Sequence, residues 1–492
     1  MQIYKIIGPP GTGKTYRILQ ELEKASKKYS PERIGAVSFT NSAISEMKDR
    51  IVNTSHVSHD VLKNVRTIHS QCFRLLGLEK EQVAETHIDE FNKMYPKLSI
   101  SCSKYDTDNE TVMAEMNNSI FARMQISRNK CQVEKMTNQE KNMYRAWMAW
   151  MEEGGYVDYT GMLEQTLLFG RYPDIDVLFI DEAQDLTQLQ MDLILKWAEN
   201  VEITTIVGDA DQAIFRFAGS DPDVFKNLDH KWIDVLKQSH RVPKKILNFS
   251  LKTIRQIKDR EDVDYMPKEG DIEGTICQCN EPILSQPGSH MIITRCMYEI
   301  LLQIKELKRR RILWCNPYRP EERIFNPMLG SEFKAVKSYW MLSQGREITD
   351  DEARDMTDHV IAKDNIIRGK KTEIVEKKRT KNLVSMFDIL DWGFTDSFLK
   401  FEKPLTEIIK PKTESGKIAI DYAAHNKIEQ EPVIVGTIHS VKGGEADNVW
   451  VSLKKTRKIN QEILKNNKAR DDEIRIAYVA FTRAKNFLGI LR

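Results

Sequence analysis

Long apolar runs are missing from this chain. Its 492 residues are 41% hydrophobic, yet no stretch approaches the ~18–20 apolar residues that a membrane span needs. The opening Met1-Gln2-Ile3-Tyr4-Lys5-Ile6-Ile7 is too short and too polar for a signal peptide, so a cytoplasmic location with no membrane partner is expected. Cysteine is scarce and odd in number, seven in all and scattered. Cys277 and Cys279 form a CxC, but no second pair or histidine cluster completes a zinc site, and reduced structural thiols are the ordinary reading. Charge of one sign is also lacking. The net charge is +2, so no global field attracts nucleic acid, and any strand must lie in a local groove, held partly by stacking. The length itself excludes a single core and implies several domains.

What is present is an alternation of apolar runs and helical patterns. Ile3–Ile7 reads as a short buried strand, followed by a glycine-rich loop and a helix with Ile18, Leu19, Leu22 and Ala25 on one face. Residues 34–39, 177–180 and 203–207 read as further strands, the last two ending in Asp181-Glu182 and Gly208-Asp209. A second set begins at 291–295 and resumes at Val433–Thr437 and 449–453, and 474–480 reads as a helix. Strands alternating with helices, with polar residues at strand ends, predict an α/β fold of doubly wound parallel sheets. Residues 78–170 look helical, and the stripe Trp147, Trp150, Met151 reads as core before it reads as binding surface. Residues 345–430 are charged and poor in strands. Within them, 363–382 hold eight Lys or Arg against three Asp or Glu, either a solvated face or a nucleic-acid contact.

Four segments carry chemistry. Gly8-Pro9-Pro10-Gly11-Thr12-Gly13-Lys14-Thr15 fits GxxxxGK[ST] between a strand and a helix. Its backbone N–H groups would cradle phosphates, Lys14 would neutralise the β and γ phosphates, and Thr15 would ligate Mg²⁺. Asp181-Glu182 ends a buried strand, where Asp181 would hold Mg²⁺ through water and Glu182 would polarise an attacking water. In Gly208-Asp209-Ala210-Asp211-Gln212, Gln212 could sense a γ-phosphate. Phe215 and Phe217 follow at spacing two, as on one face of an extended segment, either as core or as rings for a stacked base. Arginine is the usual stabiliser of phosphoryl transfer, and Arg241 and Arg483 are the candidates. A lone surface arginine is ordinarily just solvated.

In order along the chain these segments resemble the UvrD/PcrA/Rep-like DNA helicases of superfamily 1. Gly8 to Thr15 is similar to motif I. Ala36-Val37-Ser38-Phe39-Thr40-Asn41-Ser42-Ala43 resembles motif Ia, and Thr67-Ile68-His69-Ser70 motif Ib. Asp181 to Asp185 resembles DExQD, Gly208 to Phe217 resembles GDxDQxIYxW, and Ser239-His240-Arg241 corresponds to motif IV. Gly436 to Glu445 is close to motif V, and Tyr478 to Lys485 to motif VI. The resemblance implies two RecA-like lobes with ATP between them, each with an inserted subdomain. The lobes would be 1–77 with 171–236 and 237–344 with 431–492, the insertions 78–170 and 345–430. It implies ATP and Mg²⁺ as cofactors. Lys14, Glu182, Gln212, Arg241 and Arg483 would be catalytic, and His240, Gly443 and Glu445 would join the loop in binding ATP. Phe39, Thr40, Asn41, His69, Phe215, Phe217, Thr437 and His439 would line a single-stranded DNA path, with 3′-to-5′ movement and ss/ds junctions as substrates. RNA stays open as a substrate, because stacking and phosphate contacts read the sugar weakly.

The chain also departs from the family pattern. No adenine-reading Gln motif is expected upstream of motif I, and no tail domain after motif VI, as in the minimal helicases of phages and mobile elements. His240 stands for a stacking Tyr, Phe217 for a Trp, Ala218 for an Arg and Gly444 for a Leu. Two other activities fit the same residues: a translocase that strips proteins with little unwinding, and a non-hydrolysing regulator with a relic ATP site.

Overall fold

The computed structural model describes residues 2–39, 41–53, 57–101, 112–270, 272–322, 324–376, 382–411, 414–424 and 431–492. Two six-stranded sheets organise it. The first has strands β1 (Ile3–Ile7), β2 (Ile34–Ser38), β3 (Val65–Thr67), β4 (Val177–Asp181), β5 (Ile203–Gly208) and β6 (Trp232–Val235). Their spatial order is β3-β2-β4-β5-β1-β6, and every pairing is parallel. All five residues of β2 and of β4 are buried, which is why both read as unbroken apolar runs. Ser38 lies opposite Asp181, and Ile7 opposite Gly208. The parallel register therefore brings the carboxyl ends of β1, β4 and β5 to one edge, where open α/β sheets bind ligands.

The second sheet contains β7 (Thr275–Cys279), β8 (His290–Thr294), β9 (Trp314–Cys315), β12 (Val433–Thr437), β13 (Ala446–Ser452) and β14 (Ala484–Leu491). Its order is β7-β14-β13-β8-β12-β9, again parallel throughout. The expected α/β class with two parallel sheets is what the chain adopts. A short antiparallel ribbon pairs β10 (Ile348–Thr349) with β11 (Leu383–Val384). The helices Ser331–Ser343 and Asp350–His359 pack on it, and Glu414–Ala424 packs on the first of these. They share one continuous core with the sheet, in which Trp314, Val433 and Trp450 join Phe333, Tyr339 and Phe398.

Contacts group the chain into Met1–Glu273 with Glu462–Thr482, and Gly274–Gln461 with Arg483–Arg492. The first unit thus extends past 236, the end expected from the sequence, and takes in 462–482 as well. The reason is local bonding. Ser239 Oγ donates to Pro10 O at 2.9 Å, and His240 N–H to Gly11 O at 2.8 Å. The helices Lys244–Ile254 and Asn467–Phe481 meet through the Phe249 and Phe481 rings, 5.0 Å apart.

Between 78 and 170 the regular structure among the described residues is helical apart from one bridge, Val83 to Val157. Trp147 and Trp150 pack on Phe91 in the core there. Asp158 is buried beneath them. It accepts from Trp147 Nε1 at 2.8 Å and Gln125 Nε2 at 2.8 Å, and is ion-paired to buried Arg128. In the basic stretch 363–382, Lys371 Nζ caps the end of a helix, donating to Asp358 O and Val360 O at 2.8 and 2.7 Å. Residues 377–381 of that stretch lie outside the described residues. All described cysteines are free thiols. Among the described residues no helix is long and apolar enough to cross a membrane.

Gly489 of β14 lies opposite Trp450 of β13. A Cβ at Gly489 would sit 2.2 Å from Trp450 Cε3. Gly489→Ala should therefore destabilise the second unit by about 1–3 kcal/mol, the usual cost of overpacking. Urea unfolding followed by tryptophan fluorescence checks this, and an unchanged midpoint would show that the ring has room to move.

Candidate functional site

The phosphate loop follows β1 and opens the helix Lys14–Ser26. Gly11 and Gly13 have φ of 72° and 81°, in the left-handed region, where glycine is free of the Cβ penalty. Gly11 is also crowded: a Cβ would lie 2.5 Å from Arg241 Cβ and 2.8 Å from Ser239 Oγ. Arg241 and His240 are thus seated on the loop within the first unit. Thr12 closes the loop on itself, its Oγ1 donating to Pro9 O at 2.8 Å. Helix-start N–H groups without intrahelical partners then face outward, a ready cradle for phosphate oxygens.

Acidic groups ring the loop lysine. Lys14 Nζ donates to Gly8 O at 3.2 Å and lies 3.8 Å from Glu182 Oε1. Thr15 Oγ1 is 3.4 Å from Asp181 Oδ2. Burial, then the neighbouring Glu182, pushes the Asp181 carboxyl up to about 7, against the pull of Lys14. Asp209 is likewise pushed up to about 7 by burial and by Asp211. Glu182 has φ 53° and ψ 41°, left-handed for a residue with a Cβ, the kind of strain that collects at functional sites.

Gln184 ties the two acidic turns together. Its side chain donates to Glu182 Oε2, and its Oε1 accepts the Asp209 N–H at 2.9 Å. Gln212 Nε2 donates to Asp209 Oδ2 at 2.8 Å and reaches Gly8 O at 3.5 Å. Six of the sequence-predicted positions, Gly8, Lys14, Thr15, Asp181, Glu182 and Gln212, are therefore brought together at one sheet edge. Thr15 and Asp181 offer hard oxygen donors, and a divalent cation there would relieve the crowded negative charge. That chemistry fits Mg²⁺, which keeps several waters and takes only one or two carboxylates. Among the described residues no cluster of three or more His, Cys, Asp or Glu could hold a metal alone, so this fit relies on water and phosphate ligands.

Aromatic residues lie along the same turn. Phe39, Phe215 and Phe217 form a chain of rings, with centroids 5.9 and 6.1 Å apart. Phe217 is 65% exposed. The segment is not extended as its spacing suggested. Phe215 precedes a 3₁₀ turn at Arg216–Ala218, closed by Ala218 N–H to Phe215 O at 2.8 Å. The rings share a face through that turn. His69 meets Tyr159 edge-on at 5.9 Å, and burial pushes its imidazole down to about 4. A neutral ring there suits stacking or a hydrogen bond better than phosphate pairing. Thr40 and the side chain of Asn41 lie outside the described residues.

In the second unit, Arg483 Nη1 donates to Gly444 O at 3.3 Å, and Lys485 pairs with Glu445 at 2.7 Å. Gly443, Glu445 and Arg483 are thus neighbours. Gly444 is explained by Tyr318, whose hydroxyl would lie 2.6 Å from a Cβ at that position. The ring occupies the space that a leucine would need. Thr437 Oγ1 accepts from Ser440 N–H at 3.2 Å, and His439 follows in the same turn.

Sequence reasoning missed the supports of these groups. Chief among them is Arg260, which grips Asp211 at 2.7 and 3.0 Å beside Gln212, both side chains nearly buried. Its neighbours Asp259 and Glu261 pair with Lys226 and with buried Lys5, at 2.9 and 3.0 Å. The only available signal was the charge-dense run 258–264, which reads equally well as a solvated loop.

Comparison with known proteins agrees with the arrangement. The UvrD/REP helicase N-terminal domain matches residues 2–232, and the UvrD-like helicase C-terminal domain matches 328–491. The chain belongs to the UvrD-like superfamily 1 helicase family. A probable DNA helicase II homolog of Mycoplasma capricolum is 26% identical over 289 residues, 52% of this chain and 39% of that protein. The ATP-dependent DNA helicase PcrA of Staphylococcus aureus is 25% identical over 287 residues, 52% of this chain and 38% of that protein. PcrA of Leuconostoc citreum is 25% identical over 284 residues, 52% of this chain and 37% of that protein. The matched part thus spans less than half the length of each relative.

Arg260→Ala would leave buried Asp211 without its bidentate partner and should cost about 3–5 kcal/mol. Adding Asp211→Asn should recover part of that loss in urea unfolding. A single-variant cost below about 0.5 kcal/mol, the scale of an exposed pair, would show that Arg260 does not hold this turn.

Proposed function

We propose that this chain is an ATP-hydrolysing motor that moves 3′ to 5′ on single-stranded DNA and opens duplexes at ss/ds junctions. One observation carries the reading. Gln212, hydrogen-bonded among the acids around Lys14, lies three residues before Phe215 and five before exposed Phe217. A change at the phosphates therefore has a short, stiff route to a stacking platform. Base–aromatic stacking is worth about 1–3 kcal/mol per base, enough for a grip that each cycle can make and release.

In this mechanism Lys14 and the loop N–H groups, from Gly8 to Thr15, hold the phosphates of ATP. Thr15 and Asp181 hold Mg²⁺, which supplies charge neutralisation at the phosphoryl group when bound. Glu182 accepts the proton of the attacking water, and Gln184 and Lys14 fix its carboxylate. Gln212 senses the state of the γ-phosphate. Arg241 and Arg483 stabilise the charge that develops on it, and His240, Gly443 and Glu445 contact the nucleoside. Phe39, Thr40, Asn41, His69, Phe215, Phe217, Thr437 and His439 line the path of the strand. Replication, repair or recombination is the proposed setting, and the cytoplasm the proposed location.

Lys14→Ala should lower steady-state ATP hydrolysis by about 10²–10³ or more, the scale for losing a charge-stabilising group. Near-normal turnover by that variant would remove the site assignment. Strand displacement on partial duplexes with 3′ or 5′ tails, in DNA and in RNA, tests the rest. Opening of DNA from 3′ tails with MgATP is the expected result. Opening only from 5′ tails would reverse the polarity, and robust hydrolysis without opening would favour a protein-displacing translocase.

A further inference from the structure

We propose that Asp472 is a positioning residue: it ties the helix Asn467–Phe481 to the ring-bearing turn at Arg216, and so carries the state of the phosphate-side turn to Phe215 and Phe217. The proposal rests on the DNA-motor reading above and names the side chains that couple its two ends. All of them lie in the first unit. The segment from Asp209 to Phe217 has a phosphate end and a ring end, and this one helix reaches both. At the phosphate end it packs on the 3₁₀ turn Ala210–Gln212. Arg475 and Tyr478 of the helix are buried. The Tyr478 hydroxyl lies 3.0 Å from that of Tyr265. Burial, then Tyr265, Asp209 and Asp211, push its ionisation well above the usual range. Burial also raises the Asp211 carboxyl, while Arg260 and then Arg475 pull it back.

At the ring end the contact is an ion pair. Arg216 stands between the two rings in sequence and opens the turn Arg216–Ala218. Its Nη2 donates to Asp221 Oδ1 at 3.3 Å. Its Nη1 lies 3.5 Å from Asp472 Oδ1, and the same oxygen lies 3.6 Å from Arg475 Nη1. One carboxylate oxygen thus bridges a guanidinium of the ring turn and a guanidinium whose field reaches Asp211. Charge alternates along the route, from Asp211 through Arg475 and Asp472 to Arg216. Residues 472, 475 and 478 recur at a spacing of three, which puts successive members on one side of a helix. At 1.5 Å per residue they span about 9 Å of its axis.

This route is built differently from a support. Arg260 closes on Asp211 with hydrogen bonds at 2.7 and 3.0 Å, the geometry of a clamp. Among the described residues, neither Asp472 Oδ1 nor Arg475 Nε makes a hydrogen bond. Burial raises the Asp472 carboxyl, against the pull of Arg216 and then Arg475. Desolvated charges without hydrogen bonds add little to stability, so holding the helix in place does not account for them. They suit a part that moves. Coulomb attraction falls gradually with distance and persists through a small shift, whereas a hydrogen bond weakens steeply once its geometry is lost. A displacement of the turn at Asp211 and Gln212 therefore draws Arg475, Asp472 and Arg216 with it, beside the backbone path through 213 and 214.

The test compares the full chain with Asp472→Asn, Asp472→Glu, Arg216→Gln and the double variant Arg216→Gln, Asp472→Asn, with retained folding checked by circular dichroism. ATP turnover is measured without DNA and at saturating oligo-dT, and oligo-dT affinity by fluorescence anisotropy. Asp472→Asn should keep the DNA-free turnover and the oligo-dT affinity of the unmodified chain. Its maximal stimulation by oligo-dT should fall by about 3–30-fold, the range for residues that carry coupling between sites. Asp472→Glu, which keeps the charge, should retain most of the stimulation. Arg216→Gln should reproduce the loss, and the double variant should lose no more than either single one, as expected for two ends of one link. That variant also keeps the test open if Asp472→Asn does not fold. Unchanged stimulation in a folded Asp472→Asn overturns this coupling and leaves the motor reading standing. Equal losses of DNA-free and stimulated turnover, or losses that add in the double variant, also overturn it. An unmodified chain that hydrolyses ATP with no response to oligo-dT overturns the motor reading, and this coupling with it.

Discussion

A single ammonium group, Lys14 Nζ, stands among Asp181, Glu182 and Asp209, and its attraction opposes the rise of both buried aspartates. The rest of the first unit is arranged to maintain that balance. Parallel register delivers the ends of β1, β4 and β5 to one edge. Glycines at positive φ let the loop turn tightly there. Gln184 and Gln212 bind the acids to one another and to the loop. Carboxylates pressed together in a dry site are costly unless a cation joins them. The fit to a phosphate chain with a divalent cation follows from that cost, because the pair would supply both the missing charge and the missing ligands.

Position on the sheet edge also joins the acidic turn to the aromatic rings. The turn that carries Asp209, Asp211 and Gln212 continues directly into Phe215 and Phe217. Arg260 clamps it from one side, and Asp209 takes the amide of Gln212 on the other. A turn held at both ends shifts as a unit. Departures from the family pattern have local compensations of the same kind. Tyr318 fills the space left by Gly444, and His240 is fixed through its backbone to Gly11 whatever its ring contacts.

The central strands were legible because burial on both faces leaves unbroken apolar runs, as in residues 177–180. The edge strands were not. Trp232–Val235 is mostly exposed, and Val65–Thr67 and Trp314–Cys315 are too short to show a period. The nucleotide-type segments were legible because each keeps its reactive residues within about eight positions of one another in a strand–turn context. Their supports come from far away in sequence, Arg260 onto Asp211, Ser239 onto Pro10 and Tyr318 onto Gly444. No local pattern encodes such pairings. The same bonds explain why the first unit runs on to Glu273.

Glu182 is the residue on which chemistry and binding separate most cleanly, since it lies beside Lys14 but outside the loop that would hold phosphate. The most direct measurement is MgATP binding and single-turnover hydrolysis by Glu182→Gln, side by side with the unmodified chain and in the presence of oligo-dT. The account predicts binding close to that of the unmodified chain and hydrolysis slowed by about 10²–10⁴, the usual worth of a positioned general base. Hydrolysis at the unmodified rate, or loss of binding together with hydrolysis, would contradict it.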